Sequence, residues 1–414
     1  MPETVTVVKS AKQSYQPTQE VLQMMEIFRQ MVNDCLRMGL ENNTSTLKKL
    51  SRLCYSALAG YDIISYYKLH AIAKAAGILA NRKQSIKRGY PTRIPYMKHT
   101  SLISCYGFKI ANGILQIPLG DRLYFDILLN SYTKKILSDP AVIVRSFTLA
   151  ASNTVSICYS KEVAGIGWTA TAGVDRNLAN VTYGNNERVI MFDVSQATKV
   201  VENTRSVTRS FKRNDVRMRK MITDKYGRRR RNRVHQLLHK VSKAIVQDAK
   251  KRKVAIVFED ITFIRRLYQK GNGQGRGYRS KLNSWPFFEL KRQVEYKAAW
   301  EGVKVITLTK GKTRGTSQLC PRCGKRVQES RRDDPFHRRQ LWCPDCQRWM
   351  DRDVAAAMNV ARKGGEVFHR SEGLAGEAVV QEPGSVTPAI LKVDASKSSR
   401  CELKVDSVAR QPRT

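Results

Sequence analysis

The sequence predicts a multidomain α+β protein. An N-terminal β unit interrupted by a helical module precedes an α/β unit that carries an inserted four-cysteine ribbon. Three observations predict this arrangement. β-Type stretches flank a segment of helical period in the N-terminal part of the chain. Strand and helix patterns then alternate, which indicates an α/β sheet. Two matched CxxC pairs, Cys320/Cys323 and Cys343/Cys346, interrupt that alternation near its end.

Residues 4–10 alternate as a short strand. Pro17 and Thr18 then open a helix whose inner face carries Val21, Met25, Phe28, Val32 and Cys35, and helical character continues with breaks to about residue 89. After GYPTRIPY (89–96), the stretches LISCYGFKI, GILQIPL, AVIVRSFTL and TVSICYS read as short strands between turns, the pattern of a small barrel or sandwich. The strand at 4–10 makes the helical module an insertion into that β unit. From Trp168, GVDRNLANVTYGNNERVIMFDV reads as three strands with a tight turn at GNN (184–186). A helical stretch over roughly 195–250 leads to the buried-type strand VAIVFED (254–260). A helix with Phe287, Leu290, Val294 and Ala298 inward and the buried strand VKVITLT complete the alternation. The segment KGNGQGRGYRSK has no phosphate-cradling spacing and reads as a flexible basic loop.

Charge points to the partner. The 414 residues include 74 Lys+Arg against 35 Asp+Glu, a net charge of +39. Such an excess opposes compaction unless a polyanion neutralises it, and a phosphate backbone is the matching polyanion. Residues 201–235 hold thirteen Lys/Arg against three Asp/Glu, and Arg228, Arg229, Arg230 and Arg231 are candidate nucleic-acid contacts. No apolar run reaches the length of a membrane span, and the first residues, MPETVTVVKS, lack a signal-peptide core. Five of the nine cysteines are isolated and four form the ribbon, a usage that fits a reducing, cytoplasmic compartment.

The two CxxC pairs are separated by nineteen residues, the spacing of a four-cysteine zinc ribbon, and Gly324 permits the turn after the first pair. Four thiolates close the coordination sphere, so the single Zn²⁺ is structural. His337, in the basic loop between the pairs, reads as solvent-exposed rather than as a ligand.

Asp175 ends the predicted strand AGVD, and Glu259 ends VAIVFE. A charge at the end of a buried strand is costly unless it binds a metal or meets a base. Strands of one sheet end at a common edge, so these acids can converge, with Asp351 or Asp353 after the ribbon completing a cluster. Taken singly, each acid could equally cap a turn, pair with an arginine or favour a helix N-terminus. Together they suit two Mg²⁺ ions and phosphodiester hydrolysis.

Taken as a set, GVDRN, FEDI and TSQLCPRCG…CPDC…DRDVAAAMN resemble the split RuvC nuclease of transposon-encoded TnpB proteins, archaeal type, relatives of the miniature type V CRISPR effectors. The resemblance covers about residues 168–364. It implies an RNase H-like (RuvC) α/β nuclease over 167–315 and 348–364, with the zinc ribbon at 316–347. It also implies a wedge β-barrel over 1–16 and 90–166 around a helical recognition module at 17–89, with a disordered tail over 365–414 that is rich in Gly, Ser, Pro, Glu and Lys. Asp175, Glu259 and Asp353 match the family's catalytic acids and would hold two Mg²⁺. The implied activity is RNA-guided DNA endonuclease, cutting beside a short flanking motif. Its partners would be a guide RNA from the transposon end and double- and single-stranded target DNA, with no membrane and one protein per guide RNA, in a prokaryotic, archaeal setting. Two positions depart from the family pattern: Ala355 stands where many members have Asn, and Asn177 where a Gly follows the first motif. Neither is a metal ligand. The alternatives are a nuclease-inactive RNA-guided regulator or a CRISPR-associated miniature effector of the same fold. A DNA-joining transposase would bring a separate helix-turn-helix, and a ribosomal or transcription ribbon would not need three acids.

Overall fold

The computed structural model describes residues 4–120, 122–213, 215–262, 264, 273, 275–330, 339–371 and 388–396. The chain forms two compact units, one of Thr6–Glu162 and one from Val163 onward that also takes in Thr4 and Val5, the start of the first strand.

The first unit begins with β1 (Thr4–Ser14) and the helices α1 (Gln19–Glu41), α2 (Leu47–Cys54) and α3 (Ser65–Lys87). Thr18 caps α1 by accepting from the Val21 amide at 3.4 Å, as a start-signal threonine should. There follow β2 (Ser101–Ser104), β3 (Lys109–Ala111), β4 (Ile114–Gly120), β5 (Leu123–Leu128), α4 (Ser131–Leu137), β6 (Ile143–Ala150) and β7 (Thr154–Ala164). Where the sequence predicts one barrel or sandwich, the strands form two sheets, ordered β1-β7-β6-β2 and β3-β4-β5. Helix faces carrying Met25, Phe28, Val32, Ile72 and Ala75 pack with Leu115, Ile117, Phe147 and Ile157 in a single core.

The second unit is built on a six-stranded sheet. Its strands β8 (Ala170–Arg176), β9 (Asn180–Gly184) and β10 (Arg188–Asp193) form the predicted meander. The expected long helix is two helices, α5 (Ser195–Ser210) and α6 (Val216–Arg252). Asp215 makes the break by capping α6, its carboxylate accepting from the Arg217 amide at 3.1 Å. Strand β11 (Val254–Glu259), helices α7 (Arg276–Ser284) and α8 (Phe287–Trp300) and strand β12 (Val305–Leu308) come next. The ribbon strands β13 (Gln328–Glu329), β14 (Gln340–Cys343) and β15 (Arg348–Asp351) lead into α9 (Arg352–Ser371), and β16 (Ala389–Asp394) follows. The basic loop at 270–281 lies partly outside the described residues; its latter part belongs to α7.

The sheet order is β12-β11-β8-β9-β10-β16, with β8, β11 and β12 parallel. Period-two alternation sorts its two faces. Ala172, Val174, Ile256 and Phe258 face α6 and α8, meeting Leu238, Val241, Ile245, Leu290 and Val294. Val257 and Leu308 face α9, meeting Val360.

Two features of this unit depart from the expected tail beginning at residue 365. Helix α9 continues to Ser371, and β16 pairs in parallel with β10 from Arg188↔Ala389 to Asp193↔Asp394. Leu391 and Val393 enter the α6/α8 core, while Ile390 packs with Val189, Val354 and Met358 beneath α9. A six-residue apolar segment flanked by Gly, Ser and Pro gains strand structure from a waiting sheet edge, which composition does not show. Residues 372–387 and 397–414 of the expected tail lie outside the described residues.

Helix α9 crosses β8 at Gly173, where a Cβ would stand 2.1 Å from the Ala357 carbonyl oxygen and 2.7 Å from the Ala361 nitrogen. Both neighbours are backbone and cannot rotate away. Gly173→Ala should therefore cost about 1–3 kcal/mol in denaturant unfolding; an unchanged midpoint would show that α9 rides higher on the sheet.

Candidate active site and metal centre

The four cysteine sulfurs all lie within 4.8 Å of one another. Cys320 Sγ is 3.9 Å from Cys346 Sγ, and Cys323 Sγ is 3.5 Å from Cys343 Sγ. Tetrahedral zinc with Zn–S near 2.3 Å separates its sulfurs by about 3.8 Å, so the donor set fits one Zn²⁺. Each CxxC knuckle is followed by a residue in the left-handed region, Gly324 (φ 73°) and Gln347 (φ 48°). The first is legible as glycine; the second is not. His337 lies outside the described residues. The ribbon's small core of Cys320, Val327, Leu341 and Cys343 closes on Ala355 of α9. At this departure from the family pattern, the methyl group is part of the ribbon's packing.

Asp175 and Glu259 end parallel neighbours β8 and β11, and alternation turns both toward the α9 side, with Gly173 and Val257. Of the two acids after the ribbon, Asp351 is the helix cap: its Oδ1 accepts from the amides of Asp353 (2.8 Å) and Val354 (3.0 Å). Asp353 is thereby left for the cluster, only 4% exposed in the first turn of α9.

Each acid is held by polar partners that the sequence reading did not single out for this role. Asn177 Nδ2 donates to Asp175 at 2.7 Å, which gives that second departure from the family pattern a contact. Thr316 Oγ donates to Glu259 at 2.7 Å, and Asn180 Nδ2 to Asp353 at 2.7 Å. Arg339, at the start of the ribbon's second strand, places one Nη 2.9 Å from each Asp353 oxygen. Its backbone is left-handed (φ 65°), a strained state for arginine, and its side chain is 57% exposed. Buried Asn359 of α9 donates to the carbonyls of Thr316 and Leu319, tying the ribbon's entry to the helix that follows it. Asn177, Thr316 and Asn359 lie in the motifs GVDRN, TSQLCPRCG and DRDVAAAMN; Asn180 and Arg339 are related to the acids only through space.

Burial, with repulsion from Asp353 and Glu259, pushes the Asp175 carboxyl up to about 7. This is the electrostatic signature of buried acids gathered close together. Among the described residues, the cysteines are the one group of three or more ligands with all donor atoms within 4.8 Å, so the three carboxylates converge without closing to that distance. The acids repel; Asn177 holds Asp175, Thr316 holds Glu259, and Asn180 and Arg339 both hold Asp353. An all-oxygen donor set with an unsatisfied negative field fits hard divalent cations.

The arginines Arg228, Arg229, Arg230 and Arg231 lie elsewhere, exposed on α6. That helix buries nothing before Val234, so its first eighteen residues, about 27 Å of helix, carry basic side chains away from the core. Among the described residues no helix is long and apolar enough to cross a membrane.

A family model described as "Cas12f1-like, TNB domain" matches residues 287–360, from α8 through the ribbon into α9. The chain is 28% identical over 279 residues to a "TnpB-like protein" of Methanocaldococcus jannaschii, covering 63% of this chain and 94% of that one. It is 28% identical over 207 residues to a "Putative RNA-guided DNA endonuclease" of Streptomyces pristinaespiralis, covering 47% of this chain and 46% of the relative. A "CRISPR-associated endodeoxyribonuclease Cas12f2" of a Micrarchaeota archaeon matches at 28% over 182 residues, covering 41% and 32%.

Two outcomes follow from these geometries. Elemental analysis should find one zinc per chain, lost with a fall in melting temperature in Cys343→Ser. For Asp175, the folded state keeps a proton up to about 7 that the unfolded chain gives up near 3.8. Stability should therefore fall as pH rises through that window and level off above it. Asp175→Asn should melt higher than the parent by a margin that is small at the acid end, grows through the window and shrinks in excess Mg²⁺. A margin independent of pH would contradict the raised pKa.

Proposed function

We propose that this chain, a member of the TnpB family related to the miniature type V effectors, is an RNA-guided DNA endonuclease that hydrolyses target DNA beside a short flanking motif. The observation that carries this reading is the meeting of Asp175, Glu259 and Asp353 at one sheet face, with the ribbon inserted between the second and third. The sheet with α9 would be a RuvC-like nuclease, and the first unit would be the wedge with its helical recognition module.

Asp175, Glu259 and Asp353 would hold two Mg²⁺ ions, which when bound supply an activated water and neutralise charge on the phosphate. Asn177, Thr316 and Asn180 each bond one carboxylate oxygen and so restrain the rotation of the three acids. Arg339 balances Asp353 in the cation-free state, and once released its exposed guanidinium can donate to a phosphate oxygen of the incoming strand. The basic outer half of α6 suits the backbone of a guide–target duplex, read by charge and shape rather than by sequence. The guide would come from the transposon end, and base pairing with it would supply the target's sequence specificity.

The test is cleavage of target DNA by protein co-purified with RNA expressed from its own flanking sequence. Mg²⁺-dependent cutting is expected, reduced at least about a hundredfold in Asp175→Ala, Glu259→Ala and Asp353→Ala while RNA binding persists. RNA and target bound without cutting by the parent protein would instead fit a nuclease-inactive regulator. No bound RNA would end the guided reading.

A further inference from the structure

Strands β8 and β11 run parallel in register as far as Val174 and Phe258, and there their pairing ends. Asp175 and Glu259 are the next residues on each strand, at the carboxyl-end crevice where α/β sheets place ligands. Beyond the last pair, the Glu259 carbonyl has no ladder partner on β8 and needs another donor.

Arg176 supplies one. Alternation turns its side chain to the sheet face opposite Asp175, under α8. One Nη donates to the Glu259 carbonyl at 2.6 Å, and the other to the Phe287 carbonyl at the start of α8, at 3.0 Å. The guanidinium lies 5.1 Å from the Phe258 ring centroid, and the residue is only 8% exposed. Both of these hydrogen bonds of a buried cation go to backbone, an expensive use of charge for packing alone. What the fork does is join the ends of β8 and β11 and fix both to α8.

We propose that Arg176 is the positioning residue of the carboxylate site: from behind the sheet, its two-pronged bond sets the separation of Asp175 and Glu259 and so their affinity for divalent cations. This rests on the reading of the acids as cation ligands. Lysine keeps the charge but, as a single point donor, cannot reproduce the planar fork. Methionine fills the volume with no donor and leaves the carbonyls of Glu259 and Phe287 without this partner, a loss that lowers stability. A merely structural arginine would therefore register in the melting temperature and leave cation affinity alone.

The experiment is calorimetric titration of Mn²⁺ into the full-length, zinc-loaded protein with its co-purified RNA. The parent is compared with Asp175→Ala, Arg176→Lys and Arg176→Met, with melting temperature and zinc content measured on each. The site's signal is the part that Asp175→Ala removes. Arg176→Met is expected to bind Mn²⁺ about 10–100-fold more weakly at parental zinc content, with a lowered melting temperature and with Arg176→Lys between. Parental affinity in Arg176→Met, with Asp175→Ala weakened, would overturn the role of Arg176 and leave the reading of the acids standing. An Asp175→Ala titration identical to the parent's would overturn both. Should Arg176→Met fail to fold, Arg176→Lys decides, and parental affinity there overturns the proposal.

Discussion

Helix α9 lies on the backbone of β8, and the site depends on that closeness. A helix packed on a sheet through ordinary side chains would stand further off and hold Asp353 away from Asp175. Gly173 removes the obstacle, and Thr171 reinforces the approach, its hydroxyl donating to the Ala361 carbonyl at 2.7 Å. On the far side of the helix, Ala355 closes the ribbon's core, while Val354 and Met358 rest on Val189 and Ile390. The ribbon, β10 and β16 thus all bear on one short stretch of helix, the stretch that carries the third acid.

Gathering three acids in a partly desolvated place raises the energy of the folded state, and the surroundings moderate that rise without cancelling it. Neutral donors, Asn177, Thr316 and Asn180, take one oxygen each and fix its direction. Arg339 meets Asp353 from the ribbon, and Arg176 lies behind the sheet, bonded to the Glu259 carbonyl. Asp175 still feels repulsion from Asp353 and Glu259. The zinc centre differs in kind: four cysteines converge to coordination distance on their own knuckles.

Much of this was legible in the sequence because it is local. An acid at the end of an apolar run, a CxxC spacing and an apolar stripe of helical period each show within a few residues, and Asp175, Glu259, the four cysteines and α1 belong to that class. What was illegible depends on distance. Thr316 and Arg176 lie inside quoted motifs, but their contacts with Glu259 show only once β11 is placed beside them. Choosing between Asp351 and Asp353 needed the cap geometry of α9, although the family resemblance points the same way. The segment 389–394 looks like tail because its strand pairing is supplied by β10. Asp215 was visible as a capping type, but the helix break it makes was not, since basic residues continue on both sides of it.

The order in which the pieces occur along the chain has a bearing on how the protein is made. Asn180 and Asp353 touch in the finished site but are 173 residues apart. At about 5–20 residues per second, a ribosome takes on the order of ten seconds or more to travel between them. During that interval the first unit and the meander can fold, and the long basic helix can emerge, while the third acid has yet to be synthesised. A nascent chain can thus expose its basic helix before it contains all three acids. Of the three acids, Asp353 arrives last, with α9.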